Sequence, residues 1–255
     1  MSRLPLAIAV LFVICIAGDG GNPVLATPEL GYQVIRAVAH DPGAYTEGLL
    51  WQGGDLYEST GLVGDSSLRE VDPANGRVLR EVRLPAPIFA EGIAVWHGRL
   101  YQLTWRSHLI LVWGLRCLCR VGTHHLPGQG WGMTTVGDRL YVSDGTGVLR
   151  ILDPSTLRQV GSLRVTAPGG PVTSLNELEW TPWGILANIW PTDVAVRIDP
   201  RTGAVDGWLD LTRLGTAADR RAPDNVPDGI AWVPGTRDLY LAGKRWGELY
   251  EVRLT

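Results

Sequence analysis

The chain has 255 residues and a formal net charge of -3, with only 19% Asp, Glu, Lys and Arg. That balance argues against nucleic acid or an anionic membrane surface as the main partner and points to small or peptidic ones. Its three cysteines are too few for a disulfide scaffold or a four-cysteine zinc site.

Residues 1–26 read as an export signal. Arg3 gives a positive start, "LPLAIAVLFVICIAG" an apolar core, and "VLA", ending at Ala26, a small-residue cleavage pattern. The apolar run is shorter than the roughly 20 residues of a membrane-spanning helix. The mature chain is therefore expected to begin near Thr27 as an exported, periplasmic or secreted protein with no membrane attachment. Cys15 leaves with this segment, and Cys117 and Cys119 stand one residue apart, which reads as too close for an ordinary disulfide.

From residue 27 onward there is no long 3.6-residue apolar period. Gly, Pro and Asp punctuate short runs rich in Val, Ile, Leu, Tyr and Trp, which is an all-β pattern. In chain order, "TEGLLW", "AEGIAVW", "GWGMTTV", "NELEWT" and "PDGIAWV" are followed closely by "GDLYEST", "GRLYQLT", "DRLYVSD", "GILANIW" and "RDLYLAG". The matching residues Leu56, Leu100, Leu140, Ile185 and Leu239 recur at intervals of 44, 40, 45 and 54. Three units continue into a hairpin signal on an Asp-Pro step: "VDPANGRVL", "ILDPSTLRQV" and "RIDPRTGAV". Strand, turn, strand and a further hairpin, repeated every 40 to 50 residues or so, describe a β-propeller blade. Residues 27–255 are expected to form a single five-bladed β-propeller; a β-sandwich does not call for such a period. A closed ring needs no partner to bury its sheet edges, so a monomer is expected.

The innermost strands of a propeller line its axis. Glu47, Glu91, Trp131, Asn176 and Asp228 of the first series, and Gly61, Trp105, Gly145, Trp190 and Lys244 of the second, should therefore converge there. A repeat kept only for stability should hold similar residues at these places. Acids, an amide, tryptophans and the chain's one lysine instead describe a pocket with an aromatic wall and a few polar groups. The contrary reading makes the tryptophans packing between blades and the acids solvated loop ends. A carboxylate among indole rings loses hydration, which raises its pKa toward the range of proton transfer near neutrality. Glu91, flanked by Phe89 and Ile93, is the best placed, and Glu47 in "AYTEGLLW" the next.

These residues belong to the motifs "HDPGAYTEGL", "YESTGLVGDSSLREVD", "FAEGIAVW", "LTW", "GWGMTT", "LYVSDGT", "LNELEW", "ANIWPTD", "RIDPRTGAV" and "LAGKRW". Running in order through nearly all of residues 33–255, they resemble the plant and bacterial type of glutaminyl-peptide cyclotransferase. The resemblance implies a five-bladed propeller that converts the N-terminal glutamine of peptides or proteins to pyroglutamate with loss of ammonia, without a cofactor or catalytic metal. It implies Glu91 as the catalytic carboxylate, with Asn176 and Lys244 as its polar partners. Phe89, Trp105, Trp131 and Trp190 would form the aromatic pocket, and Tyr45 and Glu47 two further substrate-binding positions.

One stretch departs from the family pattern. "SHLILVWGLRCLCRVGTHHLPGQGWG" lacks the Asp-containing hairpin, and "GQG" stands where relatives have "GEG". The outer hairpin of the second blade is thus left without a sequence signal, and His124 and His125 read as exposed loop residues, since third and fourth metal ligands are not visible nearby. Two other functions fit part of the sequence. A calcium-dependent lactonase-like propeller would use Glu47, Asn176 and Asp228 as an oxygen cage, against which stand the five repeats and the Trp and Lys at other channel positions. A non-catalytic exported propeller would bind peptides or sugars through its tryptophans.

Overall fold

The computed structural model describes residues 26–255, so the export-signal reading falls, Ala26 apart, outside the described residues. Five four-stranded antiparallel sheets make up five blades. Their inner strands are Thr46–Gln52, Ala90–Trp96, Met133–Val136, Leu175–Thr181 and Pro227–Trp232. Each inner strand lies against those of the blades before and after it, and the first lies against the last, which closes the ring.

Five apolar clusters fill the five interfaces between neighbouring blades. The markers that set the period, Leu56, Leu100, Leu140, Ile185 and Leu239, are 0% exposed in every blade. Burial of one such side chain contributes about 1.5–3 kcal/mol, so the repeat in the sequence is the repeat of the core. The Asp-Pro hairpins form where expected: Asp72, Asp153 and Asp199 accept the backbone N–H of Ala74, Ser155 and Arg201, turning the chain before the outermost strand.

The fifth blade takes its outermost strand from the other end of the chain, Tyr32–Ala39 pairing with Glu248–Leu254. His40 seals the seam. Its Nδ1 meets the Trp246 carbonyl at 2.7 Å and its Nε2 the Glu58 carboxylate at 2.9 Å, while Thr46 Oγ1 donates to the same carboxylate. No sequence repeat marks this closure, because the strand has no partner within its own neighbourhood.

Two expectations about the second blade are corrected. Its outer hairpin is present, Leu109–Gly114 pairing with Cys119–His125, so His124 and His125 are exposed residues of a strand rather than of a loop. Its turn is closed by a Cys117–Cys119 disulfide instead of an Asp-Pro step. Leu118, at φ 47°, and its N–H bond to the Gly114 carbonyl fold the chain so that the two Cα atoms come within 5.1 Å, inside the usual disulfide range. Sequence separation alone underestimated how sharply a left-handed residue turns the chain.

Candidate functional site

Four of the five inner strands break register at one level of the channel. Pairing skips Glu47, Glu91 with Gly92, Asn176 with Glu177, and Asp228. A bulge removes a residue from the ladder and re-aims its side chain, and these bulges bring residues of different blades into contact. Glycines leave the necessary room: a Cβ on Gly92 would stand 2.7 Å from the Gly132 Cα.

Lys244 is the hub. Its Nζ pairs with Glu47 and, at 2.5 Å, with Asp228, and lies 4.7 Å from the centre of the Tyr45 ring. Asn176 Nδ2 donates to Asp228 Oδ2 at 2.6 Å, and Glu91 lies near enough to feel the charges of Glu47, Lys244 and Asp228. Lys244, Glu47, Asp228, Asn176 and Glu91 are each no more than 5% exposed. Three carboxyl groups facing one ammonium leave a formal surplus of negative charge, so the cluster must hold a proton of its own. Loss of hydration, and then the Glu47 charge, hold Glu91 well above the usual carboxylate range. Burial raises Glu47 as well, with Lys244 opposing it. Burial works against the Lys244 charge, yet Asp228 and Glu47 outweigh it and keep the ammonium protonated. Lys244 also occupies the place between Glu47 and Asp228 that a calcium ion would take in the lactonase reading.

Above the cluster runs an arc of five rings. Tyr45 meets Phe89 edge-on at 6.2 Å, Phe89 meets Trp105 at 5.5 Å, and Trp131 meets Trp190 at 6.0 Å. The gap in the arc is bridged by Gln129, whose Oε1 accepts Trp105 Nε1 at 2.8 Å and Trp131 Nε1 at 3.0 Å. The two glycines of the second channel series are explained by the same rings. A Cβ at Gly61 would lie 2.6 Å from Phe89, and one at Gly145, where φ is +81°, 2.6 Å from Trp131.

The structure thus brings Glu91, Asn176, Lys244, Tyr45 and Glu47 into one cluster and Phe89, Trp105, Trp131 and Trp190 into the wall beside it. Three contributors were not singled out from the sequence. Asp228 was placed on the axis but given no part beyond the calcium alternative. Gln129 was visible only as the departure "GQG", and Asp224, which accepts the Tyr45 hydroxyl at 2.8 Å, carried no signal. The arrangement can bind a cationic or amine-bearing group against its acids, pack a short side chain between rings, and move a proton at Glu91.

The family model for glutamine cyclotransferase matches residues 7–254. A glutaminyl-peptide cyclotransferase of Arabidopsis thaliana is 37% identical over 227 residues, which is 87% of this chain and 71% of that protein. The crystal structure of Myxococcus xanthus glutaminyl cyclase aligns at a TM-score of 0.84 and 36% identity, over 89% of this chain and 98% of the other. The β-propeller domain of Myceliophteria thermophila Cps50 (Swd1) aligns at a TM-score of 0.53 and 11% identity, over 88% of this chain and 100% of the other, and shares the fold alone.

Proposed function

The chain belongs to the glutamine cyclotransferase family, and from that premise we propose that it cyclises the N-terminal glutamine of peptides and proteins to pyroglutamate, using Glu91 as the single proton carrier in an aromatic pocket. The observation that carries this reading is a buried Glu91 next to Phe89 of the ring arc, in a site where Lys244 joins Glu47 and Asp228. The electronegative cluster draws in the substrate's α-ammonium. Glu91 takes one proton from it, which frees the amine lone pair for attack on the side chain's γ-carbonyl carbon. A C–N bond forms, closing the five-membered ring, and Glu91 hands its proton to the departing amide nitrogen as the old C–N bond breaks; the freed carboxylate then takes the second proton of the ring nitrogen and passes it to the ammonia, which leaves as ammonium and so restores both the neutral lactam and Glu91. Amine and carbonyl already belong to one residue, so the pocket contributes chiefly by folding that residue into an attack geometry and excluding water. Lys244, committed to Glu47 and Asp228, holds charge in place rather than donating to the oxyanion.

Purified protein incubated with Gln-Xaa peptides should release ammonia and yield a product lighter by one ammonia, at a rate unchanged by EDTA. Absence of release would refute the reading, and loss of activity with EDTA would favour the calcium-dependent alternative.

Gln129 offers a second test, of the pocket wall. Gln129→Leu leaves two indole N–H groups without their acceptor, each costing about 1–3 kcal/mol when fully buried and less here, where both rings are half-buried. KM for Gln-Xaa peptides should rise about tenfold with a smaller change in kcat, while Gln129→Glu, which keeps an acceptor oxygen, should stay close to wild type. Equal kinetics for all three proteins would remove Gln129 from the pocket.

A further inference from the structure

Asp228 is 0% exposed, and its Oδ2 is where two groups of the site meet. Asn176 Nδ2 donates to it at 2.6 Å, and Lys244 Nζ lies 2.5 Å from the same oxygen. In this bond the amide nitrogen donates and the carboxylate oxygen accepts, so the Asn176 amide stands one way round: its nitrogen faces Asp228 and its carbonyl oxygen faces away. That oxygen, Asn176 Oδ1, is buried and has no hydrogen-bond partner among the described residues. An amide held in this way keeps its acceptor oxygen uncommitted to any donor of the described residues. The other oxygen of Asp228, Oδ1, is likewise buried and without a hydrogen-bond partner among the described residues. A carboxylate kept for structure alone would be expected to have both oxygens satisfied, whereas this one sits in a strand bulge with one oxygen devoted to two site residues.

Resting on the cyclotransferase reading, we propose that Asp228 is the positioning residue of the site: through one oxygen it turns the Asn176 carbonyl toward the substrate's amine and holds the Lys244 ammonium among the carboxyl groups, away from the γ-carbonyl. The role is distinct from proton transfer, which belongs to Glu91. It accounts for the only lysine of the chain standing where arginine is used elsewhere, since a compact ammonium can be shared between Glu47 and Asp228 without entering the space of the substrate side chain.

Because Lys244 is the only lysine, labelling the full chain with 15N-lysine gives one side-chain ammonium signal that reports on this contact directly. In the wild type it should be visible near neutral pH, shielded from solvent exchange by burial. Asp228→Asn keeps the volume but removes the charge. It should shift that signal and speed its exchange, and lower kcat on Gln-Xaa peptides roughly 100-fold, the cost of a small misplacement in a preorganised site, while KM changes by less than about threefold. Asp228→Ser, which cannot overpack, should show the same pattern if the Asn variant folds poorly. Adding Asn176→Ala to either variant should cost little more, because the two residues act as one unit. A wild-type lysine signal that exchanges as fast as a solvated ammonium, variants with near-wild-type kcat, or fully additive losses in the double variant would each overturn the proposal. If the wild type itself released no ammonia, the functional reading would fall, and the lysine signal would still decide whether Asp228 holds Lys244.

Discussion

Glu91→Gln should lower ammonia release from glutaminyl peptides roughly 100- to 10,000-fold, the range spanned by loss of a positioned acid–base group, while the protein stays folded. Glutamine matches glutamate in shape but neither takes the amine's proton nor returns it to the leaving nitrogen. The same substitution has an opposite effect on stability. Glu91 is buried, and loss of hydration followed by the Glu47 charge raises its pKa in the folded state. A carboxyl group so raised stabilises the fold below its unfolded pKa of about 4.3, and that contribution is lost as pH rises toward the folded value. The Gln variant cannot ionise, so its thermal midpoint relative to wild type should increase as pH rises above about 5. Paired melting and activity curves check both signs. An enzyme that keeps its turnover would remove Glu91 from the chemistry, and one that loses activity together with its fold would mean that the carboxyl is structural.

What the sequence revealed, and what it did not, divides along physical lines. The propeller was legible because each blade must bury the same face against its neighbours, so Leu56, Leu100, Leu140, Ile185 and Leu239 recur where the core recurs. The channel residues were legible for the converse reason: Glu47, Glu91, Asn176, Asp228 and Lys244 break a repeat that stability alone would have kept uniform. Gln129 escaped because its work is done by one carbonyl oxygen on two indoles, Trp105 and Trp131, that precede and follow it by different distances along the chain. The strand Tyr32–Ala39 escaped because its partner lies at the far end of the chain. The Cys117–Cys119 bond was misread because spacing was counted along the chain, whereas a left-handed Leu118 decides the distance in space. Local pattern reports burial and chemistry well; closures between distant segments leave no local trace.

Lys244 carries the second large effect. Lys244→Met leaves Glu47 and Asp228, 3% and 0% exposed, without their shared cation. Breaking a buried ion pair from one side costs about 3–5 kcal/mol, which for a domain of this size lowers the melting midpoint by roughly 6–20 °C. Without the cation that opposes it, the burial that already raises Glu47 acts in full, so the deficit should grow as pH increases and shrink toward pH 5. Lys244→Arg separates charge from shape. It keeps a cation beside both acids and should recover much of the lost stability, but its planar guanidinium needs more room than a site 2% exposed and capped by the Tyr45 ring provides. Turnover should therefore remain well below wild type even where the midpoint is restored. If the Met variant melts with the wild type, the ammonium is not the counter-charge of the cluster. If the Arg variant turns over as fast as the wild type, the compactness of lysine is not what the site requires.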